Sequence, residues 1–452
     1  MLPCRLCLLR INLEARKHTA YESYVNPQWV RLLNQAQMNA EYDVCQGDQL
    51  HTRDGRVIHD FLSGYCVYNA GHNHPRIIEA LREELESSGP SMLQSHVAAS
   101  AGELAEMLCS RAGGRLRKVF FTSSGSEGIE TAIKFTRATT GRDGLLAARN
   151  AFHGLTCGAL SLTDNRFWLD SFGPPIPGVT FVDFGDGDAL ERELSTSKYA
   201  AFFLEPIQGE GGIVLPPDGY LRRAQELCGK HGTLFVLDEV QTGLYRTGRF
   251  LAAHHYALNP DMVILAKALS GGLVPVGAVL MTDEIYNSIY SSPLHAMIHS
   301  STYGENSLAM RAGLSTIKVL EQEDLGPRAL RRGEQFRMRL DEVLSRFEMV
   351  SEVRGLGFFI GIVFSQHRTY PGIFGQMVVT SMFREHGILT QVCGNNAAVL
   401  RATPPLNISE EGLDRFAEAM EQVMETAHSS NRFWQDAMQL VGRTARDLRK
   451  RA

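Results

Sequence analysis

The chain reads as an α/β protein with a large, mostly parallel sheet between helices. Three observations predict this. Apolar runs alternate with helical spacings from Val119 to Met281, the mark of a layered α/β fold. The runs Leu234–Leu237 and Met262–Leu265 show no polar alternation, as strands covered on both faces require. Both runs lead into charged residues: Asp238 ends the first, and Lys267 follows the second by two positions, before Gly271 and Gly272.

In such sheets ligands sit beyond the carboxyl ends of the strands, where Asp238 and Lys267 would lie. An acid and an amine beside a glycine-rich loop suit a cofactor with a carbonyl and a basic ring nitrogen. Pyridoxal phosphate is such a cofactor, with lysine as imine partner and the carboxylate facing the pyridinium nitrogen. Either residue alone would carry little weight. A lysine after a strand is usually solvated, and an aspartate at a strand end usually caps a turn or helix.

Size and composition bound the rest. At 452 residues and 44% hydrophobic, the chain can bury a large core in two or three lobes. A net charge of -5 gives no reason to expect nucleic acid. The eight cysteines are scattered. Only Cys4 and Cys7 lie close, without a second pair at zinc spacing, so reduced thiols in a cytoplasmic compartment are expected. No apolar run is long enough to span a bilayer. The opening MLPCRLCLLRINLEARKH is too broken by arginine for a secretion signal. A dispensable tail over residues 1–20 is expected, with an organelle presequence or an over-long start left open.

Taken in order, Tyr21 to about Glu41 suggests one helix with Val30, Leu32, Leu33 and Met38 on its apolar side. Asp54-Gly55 suits a hairpin turn between two short strands. A helix begins at Pro75, and Ala98–Arg111 reads as another. His59, His72 and His74 could suggest a metal, but His72 and His74 are spaced wrongly for one helical face and His-Pro at a helix start is commonly structural, so none is assigned. Val119–Thr122 is a strand, Ser123–Ser126 a small-residue turn, and a helix follows from Glu127. Strand, turn and helix N-terminus together make an anion site. The turn lacks the lysine of a Walker loop and the full G-x-G-x-x-G spacing, which disfavours a nucleoside triphosphate or NAD. A plain serine cap is the simpler reading of those serines. Phe152, before His153-Gly154, offers an aromatic face. The strand Ala200–Leu204 ends at Glu205, and a glycine loop holds Glu210. Later helices alternate with short strands, and Arg401 ends one of these before two prolines that bar helix. An arginine there suits a carboxylate ligand, although a structural ion pair is the commoner fate. A basic helix is expected at the C-terminus.

From about Gln46 to about Met424 the chain resembles the class III aminotransferases, pyridoxal-phosphate enzymes of fold type I. SSGSEGIETAIK, AFHG, EPIQGEGG, LDEVQTGLYRTG, LAKALSGG, STYGEN and RATPPL carry the likeness, in the family's order. It looks most similar to the ornithine, acetylornithine and putrescine enzymes. The resemblance implies a seven-stranded type of sheet in a large domain (residues 76–315). A smaller α+β domain would join residues 21–75 to 316–452. It also implies that Lys267 binds the cofactor and shuttles the proton while Asp238 keeps the pyridine nitrogen protonated. Gln241 would lie near the ring hydroxyl, Gly125 and Ser126 on the phosphate, Phe152 on the ring and Glu205 nearby. Arg401 would grip the carboxylate of glutamate or 2-oxoglutarate, Glu210 would pair with that arginine, and Tyr65 would line the substrate pocket. Thr302 would reach the phosphate of a neighbouring subunit, which makes a homodimer with shared sites, or a tetramer, the expected unit. Glu305 and Ser307 stand where relatives usually carry glycine and proline, and Ser123 replaces a frequent asparagine.

The expected reaction moves an amino group from a terminal amine (ornithine, putrescine or a similar donor) to 2-oxoglutarate, giving an aldehyde and glutamate. The rivals are another reaction of the same cofactor (aminomutase, racemase or decarboxylase) and a scaffold with a retired site.

Overall fold

A computed structural model describes residues 19–93, 95–365, 371–429 and 433. Three sheets organise them. The first joins β1 (Tyr42–Gln46), β2 (Gln49–Thr52) and β3 (Val57–Asp60) to the two-residue strand Ile388–Leu389, which runs parallel to β3. The β2–β3 hairpin turns at Asp54-Gly55, where Gly55 adopts a φ of 88° that glycine tolerates without penalty.

The central sheet has seven strands. Its members are β4 (Lys118–Thr122), β5 (Gly144–Ala148), β6 (Val179–Val182), β7 (Tyr199–Leu204), β8 (Leu234–Asp238), β9 (Met262–Leu265) and β10 (Gly277–Met281). Their spatial order is β4-β10-β9-β8-β7-β5-β6. Six strands point the same way, and β10 runs antiparallel between β4 and β9. That reversal was not legible, because the run Gly277–Met281 is as apolar as its parallel neighbours. All six residues of β7 are buried. Phe202 and Phe203 enter the cores on its two faces, each burial contributing roughly 1.5–3 kcal/mol.

A third sheet contains β11 (Val350–Leu356), β12 (Phe359–Phe364), the short strand Gln391–Val392 and the final strand Val399–Ala402, which carries Arg401. Among the described residues no helix is long and apolar enough to cross a membrane.

Two local expectations need correcting. The single helix over Tyr21–Glu41 is instead two, Thr19–Tyr24 and Pro27–Gln35. Asn26 breaks them, its side chain capping the amides of Gln28 and Trp29 ahead of a proline at the first helical position. Val30 and Met38 are buried as expected, but Leu32 is exposed. The helix expected from Glu127 begins at Gly125, because Ser124 is its cap. Most of the opening segment and the expected C-terminal basic helix lie outside the described residues.

Candidate active site

Strand register explains why Asp238 and Lys267 meet. Asp238 pairs with Ile264 across β8 and β9, and Lys267 follows three positions beyond that partner. Leu204 pairs with Leu237, so Glu205 leaves β7 beside Asp238. The carboxyl ends of adjacent parallel strands thus open on one cavity of about 570 Å³. Gly125, Ser126, Phe152, Glu205, Asp238, Gln241 and Lys267 all contribute to its wall. Lys267 is held at φ 48°, a left-handed conformation uncommon outside glycine, and such strain clusters at functional sites.

The Asp238 carboxylate is oriented twice. Its Oδ1 accepts the Val240 amide at 3.0 Å and its Oδ2 lies 2.8 Å from His153 Nδ1. His153 is buried. Burial alone would lower its pKa, but the bond to Asp238 and the charges of Asp238 and Glu205 hold it above the ordinary histidine value. Glu205 accepts the amides of Phe152 (3.1 Å) and Gly209 (2.8 Å). Burial nevertheless pushes its carboxyl up to about 7, with Asp238 adding to the effect. Lys267 is held below the usual lysine range, chiefly because its amine is desolvated, and Glu210 and Asp238 only partly offset this.

At the other end of the cavity, the helix Gly125–Thr140 starts. Ser124 Oγ caps the Glu127 amide at 3.2 Å, and the Glu127 carboxylate reaches back to the Ser123 amide at 2.8 Å. The simple cap therefore does not exclude the anion-site reading. The cap uses Ser124, and the amides of Gly125 and Ser126 head the helix toward the cavity. A side chain at Gly154 would overlap Ser126 Oγ, so glycine there keeps Ser126 accessible.

Arg401, Glu210 and Tyr65 form a second cluster beside the cavity. Arg401 Nη2 lies 3.0 Å from Glu210 Oε1, and both residues are buried. Gln241 joins the clusters, donating to Glu210 Oε1 at 3.2 Å and accepting from Arg401 Nη1 at 3.3 Å. The Tyr65 ring lies 5.0 Å from the guanidinium. Tyr65 belongs to a left-handed turn in which Ser63, Gly64, Tyr65 and Cys66 all have positive φ. Asp60 clamps that turn by accepting the amides of Leu62 and Ser63, both at 2.8 Å, while His72 Nε2 holds its other oxygen at 2.7 Å. His59 and His74 pair with other carboxylates, Asp48 and Glu323.

Thr302 is not brought to the cavity within this chain. It is exposed on the loop before the helix Ser307–Gln322. That loop borders a separate groove of about 520 Å³ with Ser300, Ser301 and Glu305. His153 was passed over in the sequence, although its adjacency to Phe152 was the available signal. Trp168, on the short helix Arg166–Leu169, and Asn395, on a bend before the strand Val399–Ala402, gave none.

An amine, a carboxylate and a helix N-terminus facing one cavity define a site for a flat, phosphorylated, carbonyl-bearing cofactor, and pyridoxal phosphate fits that donor set. The comparisons agree with this class. Residues 33–424 match the family model for class-III aminotransferases. The chain is 30% identical to ornithine aminotransferase from Toxoplasma gondii, with a TM-score of 0.80 over 91% of this chain and 99% of that one. It is 27% identical to a pyridoxal-phosphate-bound amine transaminase from an uncultivated Pseudomonas species, with a TM-score of 0.79 over 86% and 95% of the two chains. Among curated proteins, aminotransferase PigE of a Serratia species is 35% identical over 447 residues, covering 89% of this chain and 52% of that protein. The chain therefore spans about half the length of that relative.

The chain belongs to the class-III aminotransferases, a family of pyridoxal-phosphate enzymes with the type I fold.

Proposed function

We propose that this chain is a transaminase that takes the amino group of a primary amine, releases the aldehyde, and passes the nitrogen to 2-oxoglutarate to form glutamate. The donors that the resemblance suggests are ornithine, putrescine and similar terminal amines. The exchange balances: one substrate gives up nitrogen and gains the oxygen that the other loses. The single observation that carries the reading is the opening of Lys267 and Asp238 onto one cavity headed by a helix N-terminus.

Pyridoxal phosphate, when bound, supplies an electron sink that lets the carbon beside the nitrogen lose a proton. The remaining work falls to the chain. Lys267 Nζ, with its pKa lowered by burial, takes that proton and returns it to the neighbouring position. Asp238 would hold the ring nitrogen protonated, and its bond to His153 fixes the orientation of the carboxylate. Phe152 would cover a ring face, Gln241 would meet the ring hydroxyl, Gly125 and Ser126 would bind the phosphate, and Glu205 braces the Phe152 loop. Arg401 receives the carboxylate next to the reacting carbon of the oxo acid once Glu210 releases the arginine, while Tyr65 lines that gate. A donor without that carboxylate leaves the pair closed.

The active unit is a homodimer in which Thr302 of each subunit reaches the other's phosphate. The exposure of Thr302 beside an open groove supports this reading. Free thiols at all six described cysteines accord with a reducing, cytoplasmic setting.

Half-reactions test the proposal. Mixing the loaded enzyme with candidate amines, or with glutamate, should shift its absorbance to that of the aminated cofactor. Absence of any shift with every amine and with glutamate would overturn the reading.

A further inference from the structure

Behind Phe152 a line of aromatic side chains leads from the cavity wall to solvent. The Trp168 ring meets Phe152 edge to face at 5.7 Å, and Phe167 meets Trp168 edge to face at 4.8 Å. Phe152 and Trp168 are half-buried, whereas Phe167 is 80% exposed. Trp168 is fastened in place. Its Nε1 donates to Asn395 Oδ1 at 3.0 Å, and Asn165 donates to the same oxygen at 2.9 Å. Asn395 in turn donates to the carbonyls of Asn150 and Ala151 and, through its own amide, to that of Glu210. Trp168 also borders Gly394, whose amide donates to Glu210 Oε2 at 2.8 Å. It thus occupies the corner between the ring-covering phenylalanine and the closed Arg401–Glu210 gate.

Charges around this corner are already committed. Among the described residues of the cavity wall Lys267 is the sole lysine or arginine, and His153 is held by Asp238. Arg401 is paired with Glu210, and Arg354 donates to the Gly212 carbonyl and to Glu352. A donor carboxylate such as that of ornithine therefore meets no open cation. A second ammonium such as that of putrescine meets no open carboxylate either. Glu210 holds Arg401, Glu205 holds two backbone amides, and Asp238 holds His153. The remaining wall is apolar at Val67, Leu273, Val274 and Pro275, and the neighbouring Leu155 is exposed.

We propose that the preferred amine donor is a monoamine with an apolar body, an alkyl or aryl chain without a carboxylate or second amine, seated along Phe152 and Trp168. Trp168 is a specificity-determining residue for that half of the reaction. The inference rests on the transaminase reading above and narrows its donor class. Each methylene buried against the aromatic line strengthens binding roughly fourfold.

The test uses the loaded enzyme and follows the half-reaction with hexylamine, putrescine, ornithine and glutamate, in the wild type, Trp168→Ala and Trp168→Phe. Hexylamine should exceed putrescine and ornithine in kcat/KM by at least about tenfold, the worth of two buried methylenes. Trp168→Ala should raise KM for hexylamine about tenfold with kcat nearly unchanged, and Trp168→Phe should restore most of the loss. Glutamate should lose much less than hexylamine in Trp168→Ala. Putrescine or ornithine reacting better than hexylamine would overturn the donor class while leaving the transaminase reading intact. So would an equal loss for every substrate in Trp168→Ala, or a reaction with glutamate alone. Failure of all four substrates in the wild type would overturn both.

Discussion

Lys267 and Arg401 are the two cations nearest the centre of this site, and the protein treats them in opposite ways. Lys267 stands at a cavity wall in a strained backbone conformation, and burial holds its pKa down. Arg401 is buried against Glu210, whose charge outweighs burial and holds the guanidinium above its ordinary value. Glu210 is correspondingly held below the usual carboxylate range, with Arg401 overriding the effect of burial. A cation kept unpaired is available for chemistry at a cost in stability. A paired one contributes to the fold and meets a substrate only after an exchange of partners.

The sharpest way to break this contrast is to remove each cation. Lys267→Ala should abolish the half-reaction with amines and with glutamate, by at least about a thousandfold, which absorbance measurements check. Lys267→Met should raise the melting temperature of the cofactor-free protein. The sign follows from the lowered folded pKa: burial penalises the ammonium form, so the gain should grow as pH falls below the ordinary lysine value. No gain at any pH would show that Lys267 is not held at a cost.

Arg401→Gln should do the reverse and lower stability by about 3–5 kcal/mol, because Glu210 would remain buried without its partner. Denaturant unfolding measures this. Adding Glu210→Gln should recover most of the loss, since the stranded charge disappears with it. Equal stability of the single and double variants would mean that the pair is not coupled.

His153→Gln tests a smaller contribution. A hydrogen bond to a charged group is worth about 1.5–3 kcal/mol, so losing the one to Asp238 should slow both half-reactions by about tenfold or more. It should not discriminate between amine and oxo acid.

The smallest effect is expected away from both cations, under the loop that carries Thr302. His299 lies 3.1 Å from Thr131 Oγ1 and 2.8 Å from Lys134 Nζ, among Phe120 and Phe135. Burial and the Lys134 charge push its pKa down to about 4. The folded protein therefore binds this proton less readily than the unfolded chain, and stability should fall as pH drops from about 6.5 toward 4. In His299→Gln that part of the acid loss should vanish, read as a flatter plot of melting temperature against pH.

Much of the contrast was legible in the residues. Asp238 and Lys267 announced themselves because each follows a run of apolar residues that only a strand buried on both faces would carry. The serine-rich turn was legible as a helix start, although its two readings proved compatible. The break at Asn26 was missed since the apolar spacing continues across it, and periodicity does not register a cap. Arg401 was legible as a candidate for either a ligand or an ion pair, and spacing alone does not decide between them.

Local sequence determined the strands, most of the helices and the identity of the acid, the amine and the serine-rich turn. These depend on periodicity and capping within a few residues, and such interactions act at short range. The tertiary structure alone decided which charges are spent and which stay available. It paired Arg401 with Glu210, turned Asp238 toward His153, and lodged Trp168 on Asn395 beside Phe152. Those partners lie far apart along the chain, and a side chain's protonation and reach depend on what surrounds it in space.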